Sequence, residues 1–515
     1  MMEKGNDKDK ITVKVFRFDP SVDDEPRYEL YDVPYEPGMR VMDALLHIFR
    51  NHTNLGFRYG CTWSRCGSCA VNVNGEPALA CARKAEDGMT VEPLKNFPIV
   101  RDLIINFDEY NKKRSMIRPF IQRSKPLVET YDLIPSAKLE NLKDVSWCTR
   151  CLACVAACPV FEELRWKGYG GPAILNEVAR WKFDPRDDGP RLRVAFDEGL
   201  FKCTSCNICK EVCPFEISTP DFVAERLRAI AVEDGLYLGK HKKNVESVRS
   251  YGNPYLEPPE KRTSWLTYVH PSNDATVLLW LGCTPSYRVQ NMATATVDVL
   301  NKLAVPYAYL GNNERCCGSF LLRTGFRDDF MTEARATIEA FRRTGVDTIL
   351  TSCAGCYRTF KKDYPVIFND FNFRVLHISE LLAEKLKESN IRLSRSWNLK
   401  LAYHDPCHLA RHVGVYEPPR EIIRRLPGVQ LVETGKSRRY SRCCGAGGGV
   451  MSGYPEIASV IASKRIKDML QVGAEAIVSA CPFCELNLTK TISDFGTNMK
   501  VYDLTELVAK ALQDS

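Results

Sequence analysis

The sequence predicts an α+β protein of several domains: a small strand-rich domain, a helical domain organised by cysteines, and two tandem α/β units of one design. Three observations carry this. Alternating strand patterns open the chain, two identically spaced cysteine runs punctuate a helical middle, and everything beyond about residue 275 is written twice. A length of 515 residues suits three or four domains. The expected boundaries are 1–112, 113–250, 270–395 and 396–515.

After a charged start of about ten residues, Ile11 to Phe18 alternates as a strand and Tyr28 to Val33 reads as a second. Pro37-Gly38 then precedes an amphipathic helix, Val41 to Phe49. Next come Cys61, Cys66, Cys69 and Cys81, a C-x4-C-x2-C run with a fourth cysteine downstream. In that spacing a tight loop wraps a [2Fe-2S] cluster and a later strand supplies the last thiolate. Gly60, Gly67 and Ser68 suit such a loop, since small residues let backbone N–H groups approach the sulfides; Gly67 is the glycine expected against the cofactor. A structural zinc site is the alternative use of four such cysteines.

The middle carries Cys148, Cys151, Cys154 and Cys158-Pro159, then Cys203, Cys206, Cys209 and Cys213-Pro214. Each run is C-x2-C-x2-C-x3-C-P, in which three thiolates hold one [4Fe-4S] cubane and the fourth reaches the neighbouring one. The first cubane would take Cys148, Cys151, Cys154 and Cys213; the second would take Cys203, Cys206, Cys209 and Cys158. Zinc has no use for eight thiols in two triplet runs each ending in Cys-Pro. Two adjacent cubanes conduct electrons rather than transform organic substrates. Around them, Tyr110 to Leu142 reads as a connection with one or two helices, and Pro172 to Trp181 and Asp221 to Val232 as helices. The Pro-rich stretch from Tyr251 to Glu260 reads as a boundary and not a folded element.

The duplication runs strand, cysteine, vicinal pair, helix, strand, C-x2-C. Val277 to Leu281 leads to Cys283, as Leu399 to Tyr403 leads to Cys407. Cys316-Cys317-Gly318 matches Cys443-Cys444-Gly445, and helices from Met331 to Arg343 and Pro455 to Leu470 follow. Cys353 and Cys356 answer to Cys481 and Cys484. Helix then apolar strand argues for two α/β units with small parallel sheets, packed as a pseudo-twofold pair. Five thiolates per copy exceed the four a cubane takes, so a larger or opened cluster is the better account. Gly318 and Gly445 are expected beside these cofactors. The three sets absorb all 22 cysteines, which leaves none for a disulfide or a nucleophile.

His404-Asp405-Pro406-Cys407-His408 with Arg411 invites a catalytic reading; the role expected of His404, His408 and Arg411 is to fix the loop and donate hydrogen bonds to sulfur. Cys444 to Gly449 is no P-loop, since no Lys-Ser/Thr follows, and its glycines would let a cluster or substrate sit against backbone. The net charge of +7 is scattered, no basic stripe argues for nucleic acid, and no apolar run is long enough to span a membrane. With no apolar leader visible, the cysteines belong in a reducing, cytoplasmic setting.

The strings Phe16-Arg17-Phe18-Asp19-Pro20, Cys66-Gly67-Ser68-Cys69-Ala70, Asn72-Val73-Asn74-Gly75, Leu79-Ala80-Cys81 and Ile99-Val100-Arg101-Asp102-Leu103 resemble the iron-sulfur subunit of succinate dehydrogenase and fumarate reductase, over roughly the first 220 residues. That resemblance implies a β-grasp [2Fe-2S] domain facing an FAD-bearing partner subunit. Quinone-reactive members carry a non-cysteine residue where this chain has Cys206, so a complete cubane is expected here and a quinone site is not. The last 240 residues resemble the CCG domains of heterodisulfide reductases. There each motif is associated with a noncubane [4Fe-4S] cluster, and the pair flanks the disulfide of coenzyme M and coenzyme B. Carried over, the ligands are Cys283, Cys316, Cys317, Cys353 and Cys356, and Cys407, Cys443, Cys444, Cys481 and Cys484. A front of the first kind fused to a back of the second resembles the iron-sulfur subunits of archaeal thiol:fumarate reductases. The implied reaction oxidises the coenzyme M and coenzyme B thiols to the heterodisulfide and reduces fumarate to succinate on the FAD subunit. The alternatives are a subunit of a succinate or 2-hydroxy-acid oxidoreductase that uses quinone or another acceptor, and an electron-relay adaptor.

Overall fold

The computed structural model describes residues 9–124, 134–272, 274–388, 391–394 and 397–512. The start of the chain and part of the Tyr110 to Leu142 connection lie outside the described residues. The chain divides into two compact units. One comprises the described residues up to Leu200 together with Ile208–Ala224; the other comprises Phe201–Asn207 and the chain from Glu225 onward. The second cysteine run is therefore split, with Cys203 and Cys206 in one unit and Cys209 and Cys213 in the other.

In the first unit β1 (Lys10–Arg17) buries Ile11, Val13 and Val15 on alternate positions. It pairs antiparallel with β2 (Arg27–Pro34) along its whole length, Lys10 opposite Pro34 and Arg17 opposite Arg27. Helix α1 (Val41–Asn51) lays Val41, Leu45 and Ile48 inward, and the Asp43 carboxylate accepts the Arg40 N–H at 2.8 Å at its start. Strands β3 (Ala70–Val73), β4 (Glu76–Leu79) and β5 (Thr90–Glu92) complete a five-stranded sheet in the order β2-β1-β5-β3-β4. The β1–β5 pairing is parallel, which closes the sheet across the cysteine loop. Helices Asp108–Met116 and Ser136–Ser146 flank the undescribed part of the connection, and Gly171–Lys182 is the buried helix of the cysteine-run region.

The second unit holds two four-stranded parallel sheets of one topology. The first runs Arg374–His377, Thr348–Thr351, Val277–Trp280, Ala308–Tyr309; the second runs Val429–Val432, Leu399–His404, Ala476–Ser479, Lys500–Asp503. In each, the first strand named is an edge, the two central strands pair with each other, and the last closes the far edge. All four residues of Thr348–Thr351 and of Ala476–Ser479 are buried, as strands covered on both faces must be. Helices Arg327–Thr344 and Pro455–Gln471 precede these strands, and Gly345 and Gly473 make the left-handed turn between them at φ +72° and +71°.

Two expectations need correction here. The segment expected as a helix from Asp221 begins as a π-helical turn, Thr219–Ala224, and becomes α-helical only at Glu225–Glu233. The Tyr251 to Glu260 stretch is folded rather than a bare boundary. Asn253 is fully buried; its amide donates to the carbonyls of Glu257 at 2.7 Å and Tyr251 at 3.1 Å, while its oxygen accepts the Tyr255 N–H at 3.0 Å. One side chain thus satisfies the backbone that the prolines leave without a ladder.

Candidate metal centres and the cavity between the paired cysteine sets

The loop from Cys61 to Cys66 turns its backbone N–H groups onto sulfur. Trp63, Arg65 and Cys66 donate to Cys61 Sγ at 3.4, 3.2 and 3.2 Å, and Ser64 donates to Cys81 Sγ at 3.2 Å. Thr62 and Ser64 hold positive φ to do this. Cys69 and Cys81, from the two ends of the β3–β4 hairpin, bring their sulfurs to 3.3 Å. A Cβ on Gly67 would lie 2.6 Å from the Thr149 carbonyl oxygen, so this glycine admits backbone of the next cysteine run.

Cys148, Cys151, Cys154 and Cys213 line one pocket, together with Cys209. The two runs share a backbone device. Arg150 and Leu152 in the first, and Ser205 and Asn207 in the second, all take left-handed φ between +52° and +65° without being glycine. Alternation of this kind gathers N–H groups into an anion-binding nest. Burial pushes the Cys151 thiol up to about 12 and that of Cys203 up to about 11, so thiolates persist at these positions only against a positive counter-charge. An iron-sulfur cluster held by these cysteines would supply that charge.

In the second unit, Cys283, Cys353, Cys407 and Cys481 stand just beyond the carboxyl ends of Val277–Trp280, Thr348–Thr351, Leu399–His404 and Ala476–Ser479, where open parallel sheets place their sites. Nine of the ten cysteines expected as noncubane ligands, all but Cys443, line one cavity of about 150 Å³. Its remaining wall includes Tyr255, Phe320, His408, Phe483 and the loop Gly447 to Gly449. The halves match in detail. The Gly318 N–H reaches Cys316 Sγ at 3.4 Å and the Gly445 N–H reaches Cys443 Sγ at 3.3 Å. In each vicinal pair the second thiol is the acidic one: Cys316 and Cys356 draw Cys317 down to about 6, and Cys443, Cys484 and then His404 draw Cys444 well below the ordinary thiol value.

All 22 cysteines are free thiols. On the segments that carry or touch the two five-cysteine sets, buried N–H-bearing atoms without a partner include Trp280 Nε1, Arg262 Nε, His404 Nε2 and Arg411 Nη2. Free thiols and stranded donors around one cavity fit anionic iron-sulfur clusters, whose sulfurs accept such hydrogen bonds.

Residues 12–112 match the 2Fe-2S iron-sulfur cluster binding domain, 144–217 the 4Fe-4S dicluster domain, and 277–361 and 401–489 the cysteine-rich domain termed CCG. Over 514 residues the chain is 35% identical to a fumarate reductase (CoM/CoB) subunit of Methanothermobacter marburgensis, covering 98% of this chain and 100% of that one. The chain belongs to the family of that fumarate reductase (CoM/CoB) subunit. It is 36% identical over 391 residues to a subunit of the dihydromethanophenazine:CoB–CoM heterodisulfide reductase of Methanosarcina barkeri, covering 72% of this chain and 95% of that one. A crystal structure of a hypothetical protein from Helicobacter pylori shares the fold at a TM-score of 0.66 and 13% identity, over 99% of this chain and 97% of that one. As a member of this family the chain is an iron-sulfur electron-transfer subunit of fumarate reductase/heterodisulfide reductase type. None of the described helices is long and apolar enough to cross a membrane.

In this relative of the fumarate reductase (CoM/CoB) subunit, the glycine loop also packs closely against protein backbone. A Cβ on Gly447 or Gly448 would lie 2.4 Å from the carbonyl oxygen of Thr204 or Cys203, and one on Gly445 would lie 2.4 Å from that of Ala458. The loop therefore makes room for protein backbone, chiefly that of the second cysteine run, while Gly447 to Gly449 also line the cavity. Arg411 serves the same joint, donating from Nε to the Cys206 carbonyl at 2.7 Å and from Nη1 to the Ser441 carbonyl at 2.5 Å. The Cys443 thiol, which does not line the cavity, interacts with those of Cys206, Cys407 and Cys444. His408 lines the cavity with Nε2 3.2 Å from Arg358 Nη1.

Sequence reasoning missed the cations that carry this arrangement. Arg228 donates to the carbonyls of Cys203 at 2.8 Å and Gly448 at 3.1 Å, and His412 Nε2 lies 2.8 Å from the Ser205 carbonyl. Arg262, from the 3-10 helix Pro259–Arg262, reaches Cys283 Sγ at 3.6 Å and pairs with Glu314 at 2.7 Å, whose carboxylate also accepts the Leu281 and Gly282 N–H groups. No motif spacing announces them, and Arg262 lies just past the Tyr251 to Glu260 stretch read as a boundary.

Proposed function

We propose that this chain is the iron-sulfur subunit of a thiol:fumarate reductase. It would oxidise coenzyme M and coenzyme B thiols to their heterodisulfide and pass the electrons to an FAD-bearing partner that reduces fumarate to succinate. The two thiols lose two electrons and two protons, and fumarate takes up both. The observation that carries the reading is the cavity lined by nine of the ten cysteines of the two CCG sets, which approach it from matching strand ends. The names of the two relatives, one acting with CoM/CoB and fumarate and one on the CoB–CoM heterodisulfide, support the same chemistry.

The ligand sets we assign are Cys61, Cys66, Cys69 and Cys81 for [2Fe-2S], and Cys148, Cys151, Cys154 and Cys213 with Cys203, Cys206, Cys209 and Cys158 for two cubanes, as the spacings imply, and the two CCG sets for noncubane clusters, as the resemblance to heterodisulfide reductases implies. When bound, such clusters pass single electrons, so a two-electron thiol couple is divided between two centres and rejoined at the flavin. The residues of this chain do the rest. Phe320, Met451 and Phe483 keep water from the cavity, while Arg262, His404 and Arg411 present N–H groups to sulfur. The five-stranded sheet with α1 across it supports the β-grasp assignment, and two sheets of one topology support a pseudo-twofold pair of domains, with boundaries near 112, 250 and 395. Twenty-two free thiols suit a cytoplasmic setting.

The test is an anaerobic assay of the complex that copurifies with this chain. Succinate formed from fumarate only when both coenzyme thiols are present supports the proposal. Activity with quinone analogues alone supports a quinone-linked oxidoreductase, and response to neither assay supports an electron-relay adaptor.

A further inference from the structure

The two α/β halves carry the same cysteines but different neighbours. Aligning Cys283 with Cys407 sets Trp280 opposite His404, and aligning Cys353 with Cys481 sets Thr337 opposite Arg465. His404 ends the strand Leu399–His404 and is buried. Its Nδ1 accepts the Arg465 Nε–H at 3.3 Å. A guanidinium only donates, so Nδ1 carries the lone pair and Nε2 the proton. That proton meets no oxygen or nitrogen acceptor, and a ring nitrogen lies within 4.8 Å of both Cys444 Sγ and Cys484 Sγ. Arg465 cannot swing aside: it is buried and donates to the Lys436 carbonyl and Thr434 Oγ1 at 2.9 Å and to the Tyr403 carbonyl at 3.2 Å. In the first half Trp280 stands edge-on to Phe341 and Phe360, with ring centroids 5.4 and 5.2 Å away; its indole N–H is also buried without a partner, whereas it is His404 whose ring nitrogen lies within 4.8 Å of a cysteine pair. The donor to sulfur there is Arg262, on a different element, with its charge matched by Glu314.

We propose that His404, held in one tautomer by Arg465, is a positioning residue that donates its Nε2–H to sulfur of the second five-cysteine site and sets the two matched redox centres at different potentials. The inference rests on the cluster assignment made above. A hydrogen bond to sulfur stabilises the reduced, more negative state, so it raises the potential of the site that receives it. The proton on Nε2 also excludes that nitrogen as an iron ligand. Because the same site holds Cys443 against Cys206, a higher potential there draws electrons from the cavity toward the second cysteine run.

The experiment is an EPR-monitored redox titration of the anaerobically prepared, iron-loaded full chain, comparing wild type, His404→Phe and His404→Gln. In His404→Phe the midpoint of one of the two noncubane signals falls and the other stays, with iron per chain unchanged; His404→Gln, which keeps a donor, recovers most of the shift. Unmoved midpoints, or equal movement of both, overturn the proposal. Pulsed EPR on chain carrying nitrogen-15 histidine decides the matter even where His404→Phe fails to load iron: a weak coupling of a hydrogen-bonded nitrogen at one site supports the proposal, and either no coupling or the strong coupling of a bonded ligand overturns it. Absence of both noncubane signals from the wild type is a separate failure, that of the cluster assignment itself.

Discussion

Arg411 Nε donates to the backbone carbonyl of Cys206 at 2.7 Å, joining the second CCG motif to the second cysteine run across 205 residues of chain. Arg228 on Cys203 and His412 on Ser205 repeat the contact, so the carbonyls of this cysteine loop are held by cationic or N–H-bearing side chains of the surrounding unit. The loop is thereby built into the unit that carries the CCG domains, a placement that a free-standing dicluster ferredoxin would not need.

Arg411→Met should release that loop. Two buried carbonyls lose a charged donor, each worth roughly 1.5–3 kcal/mol. The expected outcome is a chain that loses about one cubane of iron and its EPR signal while the [2Fe-2S] signal persists, measured by iron assay and spectroscopy on anaerobic protein.

Gly448→Ala should be far more damaging than Gly414→Ala. Both residues have positive φ, but a Cβ at 448 would lie 2.4 Å from the Cys203 carbonyl oxygen, whereas at 414 it meets nothing within 4 Å. Thermal unfolding should show a cost of about 1 kcal/mol for Gly414→Ala, the backbone term alone, and a several-fold larger loss for Gly448→Ala.

Cys206→Ser should convert the second cubane to a three-iron cluster, visible as an EPR signal that the unmodified chain lacks. The same preparation tests stoichiometry: the unmodified chain should carry about 18 irons if all five clusters are present, and close to ten if the noncubane pair is absent.

Acid should destabilise the fold through two buried histidines. Burial pulls His241 and His377 down to about 4, from an ordinary value near 6.5. The unfolded chain therefore takes up protons between about pH 6.5 and 4 while the folded one does not. Stability is fully present above pH 6.5 and falls as pH drops toward 4, by on the order of 3 kcal/mol per histidine. Thermal melts from pH 7 to 5 should show this slope, and His377→Phe should flatten it.

Much of the candidate site was legible in the cysteines. The runs Cys148 to Cys158 and Cys203 to Cys213 can be read as candidate ligand runs because spacing within a loop is a local property of the chain, whereas nine of the ten CCG cysteines meet at one cavity only through the fold. The parallel strands were equally readable, since Val277–Trp280 and Ala476–Ser479 are short apolar runs ahead of cysteines. The close packing of the glycines from Gly445 to Gly449 was not, because a missing Cβ gives no sign of which atom will occupy its place. Arg262 was hidden for a similar reason: it follows a proline-rich stretch whose folding depends on the burial of Asn253.

The sequence by itself determined which residues can hold metal and that the last two domains are copies, for both follow from composition and repeat along one chain. Tertiary structure alone decided that the loop from Phe201 to Asn207 folds with the second unit, that Cys443 turns toward Cys206, and that His404 presents a proton beside Cys444 where the other copy has Trp280. Each of these depends on hydrogen bonds and close approaches between residues far apart in the chain, and such contacts exist only once packing has excluded the water that would otherwise satisfy them.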